Sequence, residues 1–369
     1  MSTRKDKFSQ KDIKYMELAL NLARAREGLT GINPSVGCVI VKDDEIISIG
    51  QTSYDGRPHA ESNAINSCNE SLEGSKMYIT LEPCNHYGKT PPCTDIIIKN
   101  NIKEVFYSIQ DIDKKVKGKS FLILKKKNVI VKKGLLKKKI TNFYNSNYFF
   151  NRKHKMPYVT GKIAVSKNNL IYSESTKRIT NIYSDKLTHF LRYKNDSLMI
   201  SSTTLNKDNP KLNCRLVGFE RFSPKRIILD NNLEMKINSY IFKTANKNNT
   251  IIFYNKADKD KISLFRKKGI RLIKSDLINN RYFDLKSILK KIYTLGSRNL
   301  LVEGGDILSG SFLNNKIFNQ FYFFKSNKNL SKTLIYKDFS HFRKLIQNYK
   351  HKKKINSKFG KDSITLYKR

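Results

Sequence analysis

Three side chains early in the chain could share one metal ion: His59, Cys84 and Cys93. They stand in the runs Pro58-His59-Ala60-Glu61, Glu82-Pro83-Cys84 and Pro91-Pro92-Cys93. One imidazole nitrogen and two thiolates fill three corners of a zinc tetrahedron and leave the fourth open to water, as catalytic zinc sites do. Glu61 follows the histidine by two residues, where a carboxylate can move protons to and from that water. A His-x-Glu run followed by Pro-Cys suits hydrolytic removal of an amino group from a base. A zinc-supported binding module without catalysis would have no use for Glu61. Ligand type alone also admits other sulfur-tolerant divalent ions.

The elements that must position these groups can be read along the chain. Ser9 caps a predicted helix to about Arg26, in which Ile13, Met16, Leu20 and Ala23 recur at helical spacing and Gly28 is the stop. Val36 to Val41 reads as a buried strand, Asp43-Asp44 as a turn, and Glu45 to Ile49 as the returning strand. A helix opens at His59 and runs to about Ser67; Met77 to Leu81 is a strand. A second helix follows Cys93, and Val105 to Ser108 is a further strand. The order α-β-β-α-β-α-β predicts a three-layer α/β domain. His59 and Cys93 then fall at helix starts, where backbone N–H groups and the helix dipole favour a thiolate.

The pattern loosens from Asn142 to Lys155, and the boundary is placed near residue 150, giving domains 1–150 and 151–369. Beyond it strands are expected at Pro157 to Val165, Ser197 to Ser201, Arg226 to Leu229, Thr250 to Tyr254 and Asn299 to Val302. Helices are expected at about Ser184 to Tyr193 and Leu285 to Leu295, and the last strand runs into Glu303-Gly304-Gly305.

With 369 residues, 39% of them hydrophobic, the chain can build two cores. No apolar run approaches the roughly 18–20 residues of a membrane span, and the charged N-terminus does not read as a signal segment. The expectation is a soluble cytoplasmic protein. Five scattered cysteines, an odd number, argue against a disulfide framework. The net charge of +41 raises a nucleic-acid reading. Its lysines are spread along the chain among many Asn, Ile, Tyr and Phe residues, a mixture that codon bias toward A and T also produces. The charge is therefore weak support for a nucleic-acid base deaminase, although it would favour an anionic substrate.

A longer stretch narrows the substrate. Asn33-Pro34-Ser35-Val36-Gly37-Cys38 precedes Pro58-His59-Ala60-Glu61, and Thr80-Leu81-Glu82-Pro83-Cys84-Asn85-His86-Tyr87-Gly88-Lys89-Thr90-Pro91-Pro92-Cys93 follows. With its long insert between the cysteines, this stretch resembles the bifunctional deaminase–reductase family of riboflavin biosynthesis, the RibD type. The resemblance implies a cytidine-deaminase-like αβα domain and a C-terminal dihydrofolate-reductase-like α/β domain. It implies zinc and NADPH as cofactors and a small pyrimidine nucleotide, 2,5-diamino-6-ribosylamino-4(3H)-pyrimidinone 5′-phosphate, as substrate. Zinc would be held by His59, Cys84 and Cys93, with Glu61 as the catalytic proton carrier. Asn33, His86 and Lys89 would meet the deaminase substrate, Lys89 at its phosphate. The product would then be reduced to 5-amino-6-(5-phosphoribitylamino)uracil.

For that second step the resemblance places Thr176, Arg192, Leu212, Arg215 and Glu303 at the substrate. It places Ala164, Arg178, Thr204, Asp208, Gly305, Asp306 and Ile307 at NADPH. Gly304-Gly305 would let the backbone and the following helix turn approach the pyrophosphate. The chain departs from the family in two places: Ser166-Lys167-Asn168-Asn169 stands for the usual Ser-Leu-Asp-Gly, and Arg178 for an aromatic. The segment Lys325-Ser326-Asn327-Lys328-Asn329-Leu330 replaces an expected glycine-containing one. These departures leave open a second reading, a deaminase whose C-terminal half only packs or binds. The family resemblance implies no membrane or nucleic-acid partner and is compatible with a homo-oligomer.

Overall fold

The computed structural model describes residues 8–88, 90–173, 178–279, 281–332, 335–356 and 359–369. Lys89 and Thr176, both expected at substrates, lie outside the described residues. The chain forms two compact units, Met1–His154 and Lys155–Arg369.

The first unit runs α1 (Gln10–Arg26), β1 (Gly37–Lys42), β2 (Glu45–Gln51), α2 (Ala60–Asn66), β3 (Lys76–Leu81) and α3 (Cys93–Lys99). It continues with β4 (Glu104–Ile109), α4 (Lys119–Lys126), β5 (Ile130–Lys133), α5 (Lys137–Asn145) and α6 (Tyr148–His154). Ser9 and Asp12 form a reciprocal capping box at the start of α1, satisfying donors that the helix itself leaves open. Met16, Ala19, Leu20 and Ala23 form its buried stripe. The sheet order is β2-β1-β3-β4-β5, with β1 antiparallel to both neighbours and the remaining pairs parallel. Asp43 and Asp44 both take left-handed φ, at 50° and 64°, as a tight two-residue hairpin turn requires.

Two glycines show how the layers stack. In the register, Gly37 faces Gln51 and Cys38 faces Gly50, so Gly37 and Gly50 look to opposite faces of the pleated sheet. A Cβ at Gly37 would meet the carbonyl oxygen of Ala19 at 1.9 Å, and one at Gly50 that of Ala60 at 2.2 Å. Helix α1 therefore covers one face and α2 the other, giving the three layers.

The loosened stretch near the boundary is in fact two helices, α5 and α6. Their Asn-rich composition hides the period, but Tyr144, Tyr148 and Asn151 are buried. The Tyr144 hydroxyl lies 2.7 Å from Thr80 Oγ1 and donates to the Ser35 carbonyl at 2.9 Å. These contacts are tertiary, so no local pattern announces them.

The second unit runs β6 (Tyr158–Val165), β7 (Leu170–Ser173), α7 (Ile182–Tyr193), β8 (Ser197–Ser201), α8 (Ser202–Asp208), β9 (Lys225–Leu229), α9 (Tyr240–Lys243) and β10 (Thr250–Tyr254). Then come α10 (Lys259–Lys267), β11 (Arg271–Lys274), β12 (Leu277–Ile278), β13 (Tyr282–Phe283), α11 (Leu285–Thr294), β14 (Asn299–Val302) and α12 (Asp306–Asn314). The chain closes with β15 (Gln320–Lys325), β16 (Tyr336–Asp338), α13 (Phe342–Asn348), β17 (His351–Lys354) and β18 (Ser363–Lys368). One large sheet has the order β11-β10-β9-β8-β14-β6-β15-β18-β17. Its strands are parallel from β11 to β15, and the last two are antiparallel. The central strands are buried on both faces: Met199 joins one core cluster, Leu198 and Ile200 the other. The outer strand β17, His-Lys-Lys-Lys, is exposed throughout.

The departure at residues 166–169 is accommodated. Asn169 adopts φ 66°, a left-handed conformation that glycine takes freely and that asparagine tolerates better than most side-chain-bearing residues. Ser166 Oγ accepts from Leu170 N at 2.9 Å and donates to Asn168 Oδ1 at 2.7 Å. Asn168 also donates to Leu330 O at 2.8 Å and accepts from Leu330 N at 3.0 Å. The two unfamiliar segments, 166–169 and 325–330, are thus partners of each other. We predict that Asn169→Val costs about 1–2 kcal/mol, from forcing a branched residue into left-handed backbone. Asn169→Gly should be close to neutral; urea midpoints of the variants check both.

Candidate active sites

In the first unit, His59 is the N-cap residue of α2, Cys93 opens α3, and Cys84 lies in the turn after β3. His59 Nδ1 is 3.5 Å from Cys84 Sγ and 3.5 Å from Cys93 Sγ. All three donor atoms lie within 4.8 Å of one another. A tetrahedral zinc with bonds of about 2.3 Å to sulfur and about 2.0–2.1 Å to nitrogen needs a sulfur–nitrogen edge of about 3.5 Å. The donor set therefore fits zinc in both type and spacing. The Cys93 amide donates to Cys84 Sγ at 3.3 Å, steadying negative charge on that sulfur. The hydrogen bond with Cys93, together with His59, pulls the Cys84 thiol down to about 4. The same Cys84 contact, with burial, pushes Cys93 up. A cation held between the two sulfurs would favour the thiolate form of both.

Glu61 sits buried in the first turn of α2, and burial raises its pKa above the ordinary carboxylate value. A buried carboxyl that holds its proton more readily than an exposed one suits taking a proton and returning it. Asn33 is half-buried, and its Nδ2 donates to the Gly56 carbonyl at 3.1 Å. That bond fixes the amide while leaving its side-chain oxygen without a hydrogen bond among the described residues. His86 lies in the insert between the cysteines, with a buried Nδ1 that has no hydrogen-bond partner among the described residues.

In the second unit, a cavity of about 1570 Å³ opens at the C-terminal ends of β6, β8, β9 and β14. It gathers nine of the sequence-predicted positions: Ala164, Arg192, Thr204, Asp208, Leu212, Glu303, Gly305, Asp306 and Ile307. Ligands of open parallel sheets bind at this end of the strands. Helix α12 begins at Asp306 with Gly305 as N-cap, and among the described residues no N-cap side chain takes its first N–H groups. The Asp306 carboxylate is engaged elsewhere, accepting from Ser340 N at 2.9 Å and Ser340 Oγ at 2.6 Å and lying 2.9 Å from His341 Nδ1. An uncapped helix start beside a glycine suits a pyrophosphate, so the cavity fits a dinucleotide. Leu212, buried, holds left-handed φ at 55°, a strained conformation of the kind that functional sites retain.

Arg192 and Glu303, both expected at the substrate, line the cavity as partners of each other: Nε to Oε1 at 2.7 Å, Nη2 to Oε2 at 2.8 Å, with Nη1 donating to Asn213 O at 3.0 Å. Burial opposes the Glu303 charge, but Arg192 outweighs it and holds the carboxyl below its usual value. Arg178 and Arg215 do not line the cavity. Arg178 is exposed and pairs with Asp185 on α7, and Arg215 is exposed and donates to Asn213 Oδ1 at 3.0 Å. Lys162, to which sequence reasoning gave no role, lines the cavity. Burial lowers its pKa, partly countered by Glu303.

The two units define a class: a zinc-type deaminase domain followed by a dihydrofolate-reductase-like domain. Residues 9–109 match the cytidine and deoxycytidylate deaminase zinc-binding region, and residues 157–328 match the RibD C-terminal domain. The riboflavin biosynthesis protein RibD of Aquifex aeolicus is 33% identical over 97% of this chain and 98% of its own length. A diaminohydroxyphosphoribosylamino-pyrimidine deaminase of Buchnera aphidicola is 48% identical over 38% of this chain and 94% of its own. A Thermotoga maritima diaminohydroxyphosphoribosylaminopyrimidine deaminase/5-amino-6-(5-phosphoribosylamino)uracil reductase superposes with TM-score 0.79 at 28% identity, over 97% of this chain and 98% of that one. The chain belongs to the RibD family of riboflavin-biosynthesis enzymes.

Two outcomes follow. Cys93→Ser should lower bound zinc well below the one ion per chain expected of the parent, read by elemental analysis. Glu303→Ala should strand the buried Arg192 and destabilise the protein by about 3–5 kcal/mol, measured by denaturant unfolding.

Proposed function

We propose that the first unit deaminates 2,5-diamino-6-ribosylamino-4(3H)-pyrimidinone 5′-phosphate and that the second reduces the resulting ribosylamino-uracil with NADPH. The observation that carries this reading is the His59–Cys84–Cys93 triangle, of zinc dimensions, with a buried carboxyl on the adjoining helix turn. Zinc, when bound by these three residues, supplies Lewis-acid activation of a water. Glu61 takes the proton of the attacking water at its carboxylate and passes it to a ring nitrogen, then assists departure of ammonia. Its raised pKa, set by burial, suits both directions of transfer. Asn33, anchored by Gly56, offers its free carbonyl oxygen to the ring, and His86 and Lys89 meet the substrate from the insert.

For the second step, Gly305 and the open start of α12 take the pyrophosphate, with Ala164, Thr204, Asp208, Asp306 and Ile307 along the dinucleotide. Arg178 would serve NADPH by leaving Asp185, and Arg215 would serve the substrate from beside the cavity. Glu303 and Leu212 line the substrate end, with Arg192 holding Glu303 ionised. NADPH, when bound there, would supply a hydride to the anomeric carbon of the ring-opened ribose, giving the ribityl chain. Lys162, less basic than an exposed lysine, is the group placed to donate the accompanying proton. The accommodated turn at Asn169 favours a working reductase over a unit that only packs. The reading places the enzyme in the cytoplasm, compatible with a homo-oligomer; among the described residues no helix is long and apolar enough to cross a membrane.

The decisive experiment supplies purified protein with the pyrimidine nucleotide and follows ammonia, then supplies the deaminated product and follows NADPH oxidation. Both should proceed. Glu61→Gln should keep zinc and lose ammonia release by about 100-fold or more while NADPH oxidation continues. Normal ammonia release by that variant would refute the role of Glu61. Ammonia without NADPH oxidation would leave the protein a deaminase with an inactive second unit.

A further inference from the structure

The insert between the two thiol ligands is held at three places. Asn85 Nδ2 donates to Val116 O and to Ser120 Oγ, each at 3.1 Å, at its start. The Cys93 amide meets Cys84 Sγ at its end. In the middle, Arg57 Nη1 donates to Thr90 Oγ1, and Gly88 N donates to Thr90 O at 3.2 Å. Gly88 lies so close to the same guanidinium that a Cβ there would meet Nη2 at 3.2 Å. Arg57 stands two residues before His59, so one side chain ties the entry of α2 to the loop that joins both sulfurs.

The charge of this arginine is unbalanced. Its side chain is half-buried, and no carboxylate pairs with it among the described residues. A guanidinium removed from bulk water without an acidic partner is costly unless an anion completes it. Thr90 uses one of its five N–H donors, and the planar fork suits the oxygens of a phosphate monoester. Nothing in the family pattern quoted above assigns a role to this position.

We propose that Arg57 is a specificity-determining residue of the deaminase unit, pinning the insert through Thr90 and presenting its remaining donors to the terminal phosphate of the substrate. The inference rests on the deaminase reading above. It makes the preference for a phosphorylated substrate depend on a residue outside the insert.

The test compares parent, Arg57→Ala and Arg57→Lys on the pyrimidine nucleotide and on its dephosphorylated form, with zinc content measured for each. The ratio of kcat/KM for the phosphorylated over the dephosphorylated substrate should fall about tenfold or more in Arg57→Ala, carried by KM. Arg57→Lys should recover part of the ratio, because it restores charge but not the fork. Inorganic phosphate should inhibit the parent competitively and Arg57→Ala more weakly. An unchanged ratio, an equal loss on both substrates, or loss of zinc would each overturn the proposal. Should Arg57→Ala not fold, the Arg57→Lys ratio decides, with a smaller fall expected and no fall refuting. Failure of the deaminase reading is separate: the parent itself would then release no ammonia from either substrate.

Discussion

The closeness of α2 to the sheet governs the first unit. At Gly50 the strand and helix meet backbone to backbone, and a Cβ there would lie 2.2 Å from the Ala60 carbonyl oxygen and 2.5 Å from Ala64 N. Ser48, on the same strand, donates to the Ala64 carbonyl at 2.6 Å and fastens the seating. His59, at the helix entry, is thereby carried to both sulfurs, and Glu61 is buried in the turn that follows. Gly37 repeats the device against α1 on the opposite face, so the sheet is gripped from both sides at points that admit no side chain. A methyl group at Gly50 would lift the histidine away from ligands that a metal needs placed to within tenths of an ångström.

The second unit solves a different problem, keeping charges inside a protein. Arg192, Glu303 and Lys162 are clustered at the cavity, and each alone would be expensive to bury. The two-point pairing of Arg192 with Glu303 makes the carboxylate tolerable, and the Asn213 carbonyl takes a further donor. Lys162 receives only partial compensation, which leaves its proton less tightly held.

The deaminase groups were legible because each sits in a short run whose chemistry is local: His59 with Glu61, Cys84 after Pro83, Cys93 after two prolines. Helix α1 announced itself through its Ser9–Asp12 cap and its buried stripe. Relations between distant segments were not legible. Arg192 and Glu303 are 111 residues apart, and nothing near either says that they bind each other. Asn168 and Leu330, 162 residues apart, each looked like a lapse from the family when read alone. Arg57 drew no reading from the sequence of a chain with net charge +41, because solvated and half-buried arginines look identical in sequence. The pairing of Arg178 with Asp185 and the hydrogen bond from Arg215 to Asn213 were likewise not legible.

The exposed strand β17 has a meaning for the molecule's behaviour in solution. It ends the nine-stranded sheet, and an end strand offers unpaired backbone groups to any passing strand. Here that ledge is lined by Lys352, Lys353 and Lys354, with none of them in an ion pair among the described residues. Two such ledges repel at low ionic strength, and salt weakens the repulsion over a Debye length of about 8–10 Å. The protection is therefore electrostatic rather than steric, and concentrated salt, which usually loosens the associations of a basic protein, weakens the barrier to edge-to-edge stacking in this one.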